Sequence, residues 1–228
     1  ASVAEPILSI ADTSKPKETP VQITIPDTVL SKQDVATATL KVVEWSSDNR
    51  HFLLQKTLPD GVVHYVLIDR EKPEASVNIS TRLALNSTTT VRLRDKKDDQ
   101  YYLLDASTKL LRRASLSAGI EPIIVADGVV SYTPYESNLI VYATESGAQP
   151  GTYAVRILDG ATNYLLQPIS ASPIILLDVA KYEGDWFYVT GSNAQETIQI
   201  YDNPLQNSSN LDEFGALRSQ LRLNLRAP

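Results

Sequence analysis

YVLID at residues 65–69, an apolar run closed by one aspartate, is the stretch that decides the fold. A short polar turn and a second apolar segment follow it. The phrase returns as ILSIAD at residues 7–12, YYLLD at 101–105, YAVRILD at 153–159 and IQIYD at 198–202. Recurrence of this kind marks stacked supersecondary units, none of which can bury its apolar face alone. The closing aspartates lie 57, 36, 54 and 43 residues apart. That spacing suits four-stranded antiparallel units of roughly 40–50 residues whose loops vary in length.

Working outward, the segments around each phrase alternate apolar and polar residues and are bounded by turn formers, so they read as further strands. The plainest unit covers 39–80, with strands at 40–45, 51–57, 62–69 and 75–80. Pro59, Asp60 and Gly61 supply a hairpin reversal inside it. Later units cover 89–126, 129–169 and 174–226, and strands at 7–11 and 21–25 form a partial unit at 7–25. Near the end, 211–217 reads as a short helix capped by Asn210, and 221–225 reads as a closing strand. The expectation is an all-β chain, residues 1–228 being one domain or a fragment of one, with about four and a half four-stranded antiparallel units.

With 43% hydrophobic and 21% charged residues among 228, the chain is an ordinary folded protein. A formal charge of -6 argues against a nucleic-acid surface, which needs clustered Lys and Arg. Without cysteine there is no disulfide, thiolate metal site or Cys nucleophile. No apolar run reaches the length of a membrane span. The sequence opens at Ala1, in the middle of the repeat, and contains no Met. It reads as a fragment of a longer chain or as a sequence from which modified residues were dropped, and either reading leaves room for an anchor or partner domain outside it.

No nucleophile elbow, HExxH, phosphate loop or EF-hand loop is present, so no catalytic, cofactor-binding or metal-ligating residue is assigned. His51 and His64 are the two imidazoles, and both lie in the hairpin around Pro59. If Thr57 faces Val62, His64 faces Gln55, four residues from His51, so the pair cannot share a metal. The run Arg94-Asp95-Lys96-Lys97-Asp98-Asp99 reads as a solvated turn rather than a metal site. Lys109, Arg112 and Arg113 read as charges protecting a strand edge. Each repeated Asp either bonds its own turn backbone, the favoured reading, or lines a common funnel. Sequons at Asn78, Asn86 and Asn207 carry no inference.

The segment EWSSDNRHFLL at residues 44–54 resembles the W-S-x-D-G-x-x-L-L phrase of TolB-type, WD40-like β-propeller repeats. Asn49 stands where Gly is usual, and both tolerate positive φ. Only this unit carries the phrase well. The resemblance implies a propeller whose Trp packs between neighbouring sheets and whose Ser-x-Asp turn orders a hairpin. It also implies a non-catalytic interaction scaffold outside the cytoplasm, often in a bacterial envelope.

Two other roles stay open: an accessory propeller of a peptidase whose catalytic domain lies elsewhere, and a propeller binding glycans or small ligands. Eleven Tyr against three Phe and two Trp is an unusual aromatic balance. Tyr132, Tyr135, Tyr142, Tyr182, Trp186 and Tyr188 are the candidate partner-binding residues, since such rings suit recognition surfaces and strands alike. The partner is an unidentified protein, or a second copy joined through an open sheet edge.

Overall fold

The structure, a computed structural model, describes residues 6–94, 100–117, 119–136, 139–145, 151–159, 162–166, 169–182, 185–192, 197–202 and 217–222. The chain is all-β. A hairpin of β1 (Ile7–Ile10) and β2 (Val21–Thr24) is followed by α1 (Lys32–Thr37) and the first sheet, made of β3 (Thr39–Trp45), β4 (His51–Thr57), β5 (Val63–Asp69) and β6 (Val77–Asn78). A 3-10 turn at Pro73–Ala75 and a single helical turn, α2 (Ile79–Arg82), flank β6.

The second sheet holds β7 (Thr89–Leu93), β8 (Gln100–Asp105), β9 (Leu110–Ser115) and β10 (Ile123–Ala126). The third holds β11 (Val129–Glu136), β12 (Leu139–Glu145), β13 (Tyr153–Asp159) and β14 (Thr162–Leu165). The fourth holds β15 (Ile175–Tyr182), β16 (Asp185–Ser192), β17 (Thr197–Asp202) and β18 (Leu217–Arg222). In all four the strands lie side by side in chain order, the up-and-down meander of a propeller blade.

Two compact units divide the chain, residues 1–101 with 115–120, and residues 102–114 with 121–228. In the first, β4 and β5 are covered on both faces, which is why they read as apolar runs rather than as alternation. Phe52 pairs with Ile68 and Leu54 with Val66 on one face, against Ile23, Ile25, Val29 and Leu30 from the β2 segment. Leu53 and Leu67 fill the other face. Each such side chain contributes about 1.5–3 kcal/mol by leaving water.

The second unit has two clusters. One gathers Tyr102, Leu104, Leu111, Val129, Tyr132, Ile140 and Tyr142; the other gathers Val141, Ala143, Val155, Ile157, Leu166, Ile174, Leu176 and Tyr188. A buried aromatic sits on the second strand of each four-stranded sheet, at Phe52, Tyr102, Tyr142 and Tyr188.

Three expectations need correction. The fourth strand expected at 75–80 shrinks to Val77–Asn78. Two serines take the ladder's place, Ser76 Oγ accepting the Asp69 N–H at 3.0 Å and Ser80 Oγ the Tyr65 N–H at 2.8 Å. Asn78 Oδ1 meanwhile accepts the Thr81 N–H and caps α2.

The hairpin register is also shifted by one, because Thr57 pairs with Val63 and His64 with Lys56. Asp60 Oδ1 accepts the Val62 N–H at 3.0 Å and Leu58 N–H donates to Val62 O at 2.8 Å, which holds Val62 in the loop. Thirdly, α1 was not expected, although Ser31 and Asp34 form its reciprocal capping box. Residues 95–99, Asn207 and residues 211–216 of the helix expected at 211–217 lie outside the described residues; Leu217 opens β18, which overlaps the closing strand expected at 221–225.

Candidate interaction surface

The turn between β3 and β4 is built by the side chains of the W-S-x-D phrase. Ser46 Oγ donates to Asp48 Oδ1 at 2.6 Å and accepts the His51 N–H at 2.9 Å. Asp48 Oδ1 also accepts the Arg50 N–H at 3.1 Å. These bonds from Ser46 and Arg50 hold the Asp48 carboxyl below its usual range. Asn49 takes a φ of 57°, the left-handed region in which Asn and Gly are the least strained residues.

That turn aims Arg50 at the aspartate that ends β5. Arg50 Nη2 and Nε reach Asp69 at 2.7 and 3.2 Å, while the Glu71 and Lys72 N–H groups each donate to Oδ1 at 2.9 Å. His51 Nε2 lies 3.4 Å from the same carboxylate. Burial pushes the Asp69 carboxyl up, but the hydrogen bonds from Arg50, Lys72 and Glu71 outweigh it, and the group ends below its ordinary value.

Asp12 and Asp105 bond their turns in the same way, accepting the N–H and hydroxyl of Ser14 and Ser107 respectively. The turn reading of the repeated Asp therefore holds at all three positions whose side chains are described.

A second charged cluster joins α1 to β4, with Lys56 Nζ 3.0 Å from Asp34 Oδ1 and only 6% of the lysine side chain exposed. Burial pushes the Asp34 carboxyl up, but the Ser31 N–H and Lys56 more than offset this. His64, beside Lys56 in the register, is held below its ordinary value by burial and then by the lysine charge. His51 and His64 thus belong to different clusters. No group of three candidate metal ligands occurs among the described residues.

Glu44, which sequence reading left without a role, fastens the first sheet to β7. Its carboxylate accepts the Leu93 N–H at 2.9 Å and pairs with Arg92 Nε at 3.1 Å. Ser131 does the equivalent job in the second unit, where its Oγ accepts the Leu176 N–H of β15 at 2.8 Å. Of the basic edge read at Lys109, Arg112 and Arg113, Lys109 pairs with Glu145, and Arg112 and Arg113 lie opposite Ile124 and Ile123.

The expected aromatic patch does not form from its described members. Tyr132, Tyr142 and Tyr188 are core residues. Their strands bring apolar side chains over both faces, and Tyr132 and Tyr188 satisfy their hydroxyls on the carbonyls of Tyr102 and Leu166. Tyr135, Tyr182 and Trp186 have backbone in β11, β15 and β16, and their side chains lie outside the description.

The exposed apolar side chains sit elsewhere. On β3, an edge strand of its sheet, Val42, Val43 and Trp45 are 45%, 37% and 40% exposed. Trp45 rests on Phe52 at a ring distance of 4.7 Å, so it covers its own sheet and keeps one side free. On β10, Ile123 and Ile124 are 51% and 65% exposed. Isolated exposed apolar residues are common, but adjacent ones on edge strands mark interaction surfaces.

No protein-family model matches this sequence, and no curated protein matches it. Among solved structures, a prolyl endopeptidase aligns with 98% of this chain at 15% identity and a TM-score of 0.52, the match covering 32% of that enzyme. An AofleA variant from Arthrobotrys oligospora aligns with 90% of this chain and 61% of its own at 11% identity, TM-score 0.45. Kluyveromyces lactis Hsv2 aligns with 80% and 50% at 11% identity, TM-score 0.41. The chain thus spans less than two thirds of each. The prolyl endopeptidase likeness agrees with the blade architecture and bears on the fold alone.

Proposed function

We propose that this protein is a non-catalytic interaction scaffold of the TolB-type, WD40-like propeller class, working outside the cytoplasm. The observation that carries the reading is the apolar row Val42, Val43 and Trp45 on the edge strand β3. Such a row costs solubility unless something covers it, and it suits addition of a partner's strand or apolar segment.

The charged groups of the first unit support the same reading, because Arg50, Asp69, Lys56 and Asp34 are committed to bonds that hold turns, α1 and strands together. In-cell crosslinking followed by mass spectrometry tests it. Wild-type protein is expected to capture a protein that Trp45→Ala combined with Val42→Asp loses, with thermal stability retained. Capture of nothing, or equal capture by both proteins, overturns the reading.

The second reading is an accessory propeller of a peptidase, favoured by the alignment of nearly the whole chain with part of a prolyl endopeptidase. A nucleophile elbow and triad in the complete reading frame, with peptidase activity lost on substituting its serine, would replace the scaffold reading.

A further inference from the structure

We propose that His64 is the trigger of an acid-sensitive latch, which holds residues 31–38, α1 included, against β4 at neutral pH and lets them go when the imidazole takes up a proton. The latch needs no partner and so stands independently of the scaffold reading.

The β4–β5 register sets Lys56 directly opposite His64, two residues along from the Leu54 and Val66 pair and therefore on the same face of the sheet. Ile25, Val29 and Leu30 bury themselves on the apolar part of that face. The helix that follows them, α1, buries none of its own side chains. The ion pair that ties α1 to the sheet joins Asp34 Oδ1 to Lys56 Nζ at 3.0 Å. Asp34 Oδ2 meanwhile accepts the Ser31 N–H at 2.9 Å, so one carboxylate both caps the helix and fastens it. Release of α1 also frees the entry to β3, because only Ala38 separates the two elements.

Shut, the latch disfavours the imidazolium. His64 Nδ1 is buried without a hydrogen-bond partner, and a charged imidazole must donate from both nitrogens. The charged groups that face it are Lys56 on β4, Asp34 on α1 and Asp60 in the β4–β5 turn. Lys56 repels a second cation placed opposite it across the ladder. Asp34 is engaged by Ser31 and Lys56, and Asp60 Oδ1 by the Val62 N–H at 3.0 Å. Burial first, and the lysine charge second, hold His64 below its ordinary value. An opened latch binds the proton more readily than a shut one, so closure is fully favoured above about pH 6.5 and weakens as pH falls from there toward the folded value. Asp34 stays ionised in that window, because despite burial the Ser31 N–H and Lys56 hold its carboxyl below its ordinary value.

Amide exchange of the wild-type protein at pH 7.5 and 5.5 tests the latch, read as the protection of the Val35 and Ala38 N–H groups, which donate to the Ser31 and Asp34 carbonyls. Relative to an unprotected amide at the same pH, their protection should fall by about twofold to tenfold between the two conditions, while that of β4 and β5 holds. His64→Gln should abolish the fall. Each protein is compared with itself across pH, so a general loss of stability in the variant leaves the ratio readable. In the wild type the His64 imidazole, followed by NMR, should titrate below about 6.5. A fall smaller than about twofold, an equal fall across β4 and β5, the same fall in His64→Gln, or an imidazole that titrates at or above about 6.5 overturns the proposal.

Discussion

The first and third sheets solve one assembly problem with different chemistry. In the first unit a strand-end carboxylate, Asp69, gathers Arg50 and two backbone N–H groups, while Glu44 fastens β3 to β7. In the second, buried tyrosines and aliphatic side chains fill the interior, and a neutral hydroxyl, Ser131, makes the β11-to-β15 fastening. The W-S-x-D phrase survives where polar groups do the fastening. Where aromatic packing takes over, the blade keeps its strands and drops the phrase, so a motif search sees one blade in four.

The contrast breaks most readily at Asp69. Asp69→Ala should cost about 3 kcal/mol, since it removes a charge-assisted network from a buried site. Amide exchange should quicken across 39–78 and stay unchanged across 139–165. Lowering pH tests the same group in the wild type. The folded-state carboxyls of Asp34, Asp48 and Asp69 are depressed, so their stabilisation is fully present above the unfolded value of about 3.9 and is lost as pH falls through the folded values. Exchange measured on both units between pH 5 and 2 should show the first opening before the second. Simultaneous opening would erase the distinction.

Gly128→Ala strikes the second unit. Gly128 has a φ of 63°, and an added Cβ would lie 2.5 Å from the Glu145 carbonyl oxygen, so a loss of about 2 kcal/mol is expected in urea unfolding. The two fastenings sharpen the comparison. Glu44→Ala should cost about 1.5 kcal/mol and Ser131→Ala about 1 kcal/mol, each leaving an N–H without its partner. Only the first penalty should shrink in 1 M salt, because only the first includes an ion pair open to screening. A salt-dependent Ser131 penalty would contradict the assignment. The smallest effect belongs to Asn49→Gly, which should change stability by less than about 0.5 kcal/mol, given that both residues accept the left-handed turn.

The repeated apolar runs and their closing aspartates were enough to place nearly every strand, because period, turn formers and Asp-capped turns are local properties carried by neighbouring residues. The Ser46-to-Asp48 turn was legible for the same reason. Side-chain fate was not. Tyr142 and Tyr188 carry no mark in the chain that separates a core ring from a surface ring, and burial is settled by strands distant in sequence. The shortened β6 and the shifted His64 register likewise turned on single side chains, Ser76, Ser80 and Asp60, claiming backbone groups that a ladder would otherwise pair. Three-dimensional packing decided which outer strands, β3, β10 and β15 among them, keep apolar residues exposed, since an edge exists only once the other strands have found their neighbours.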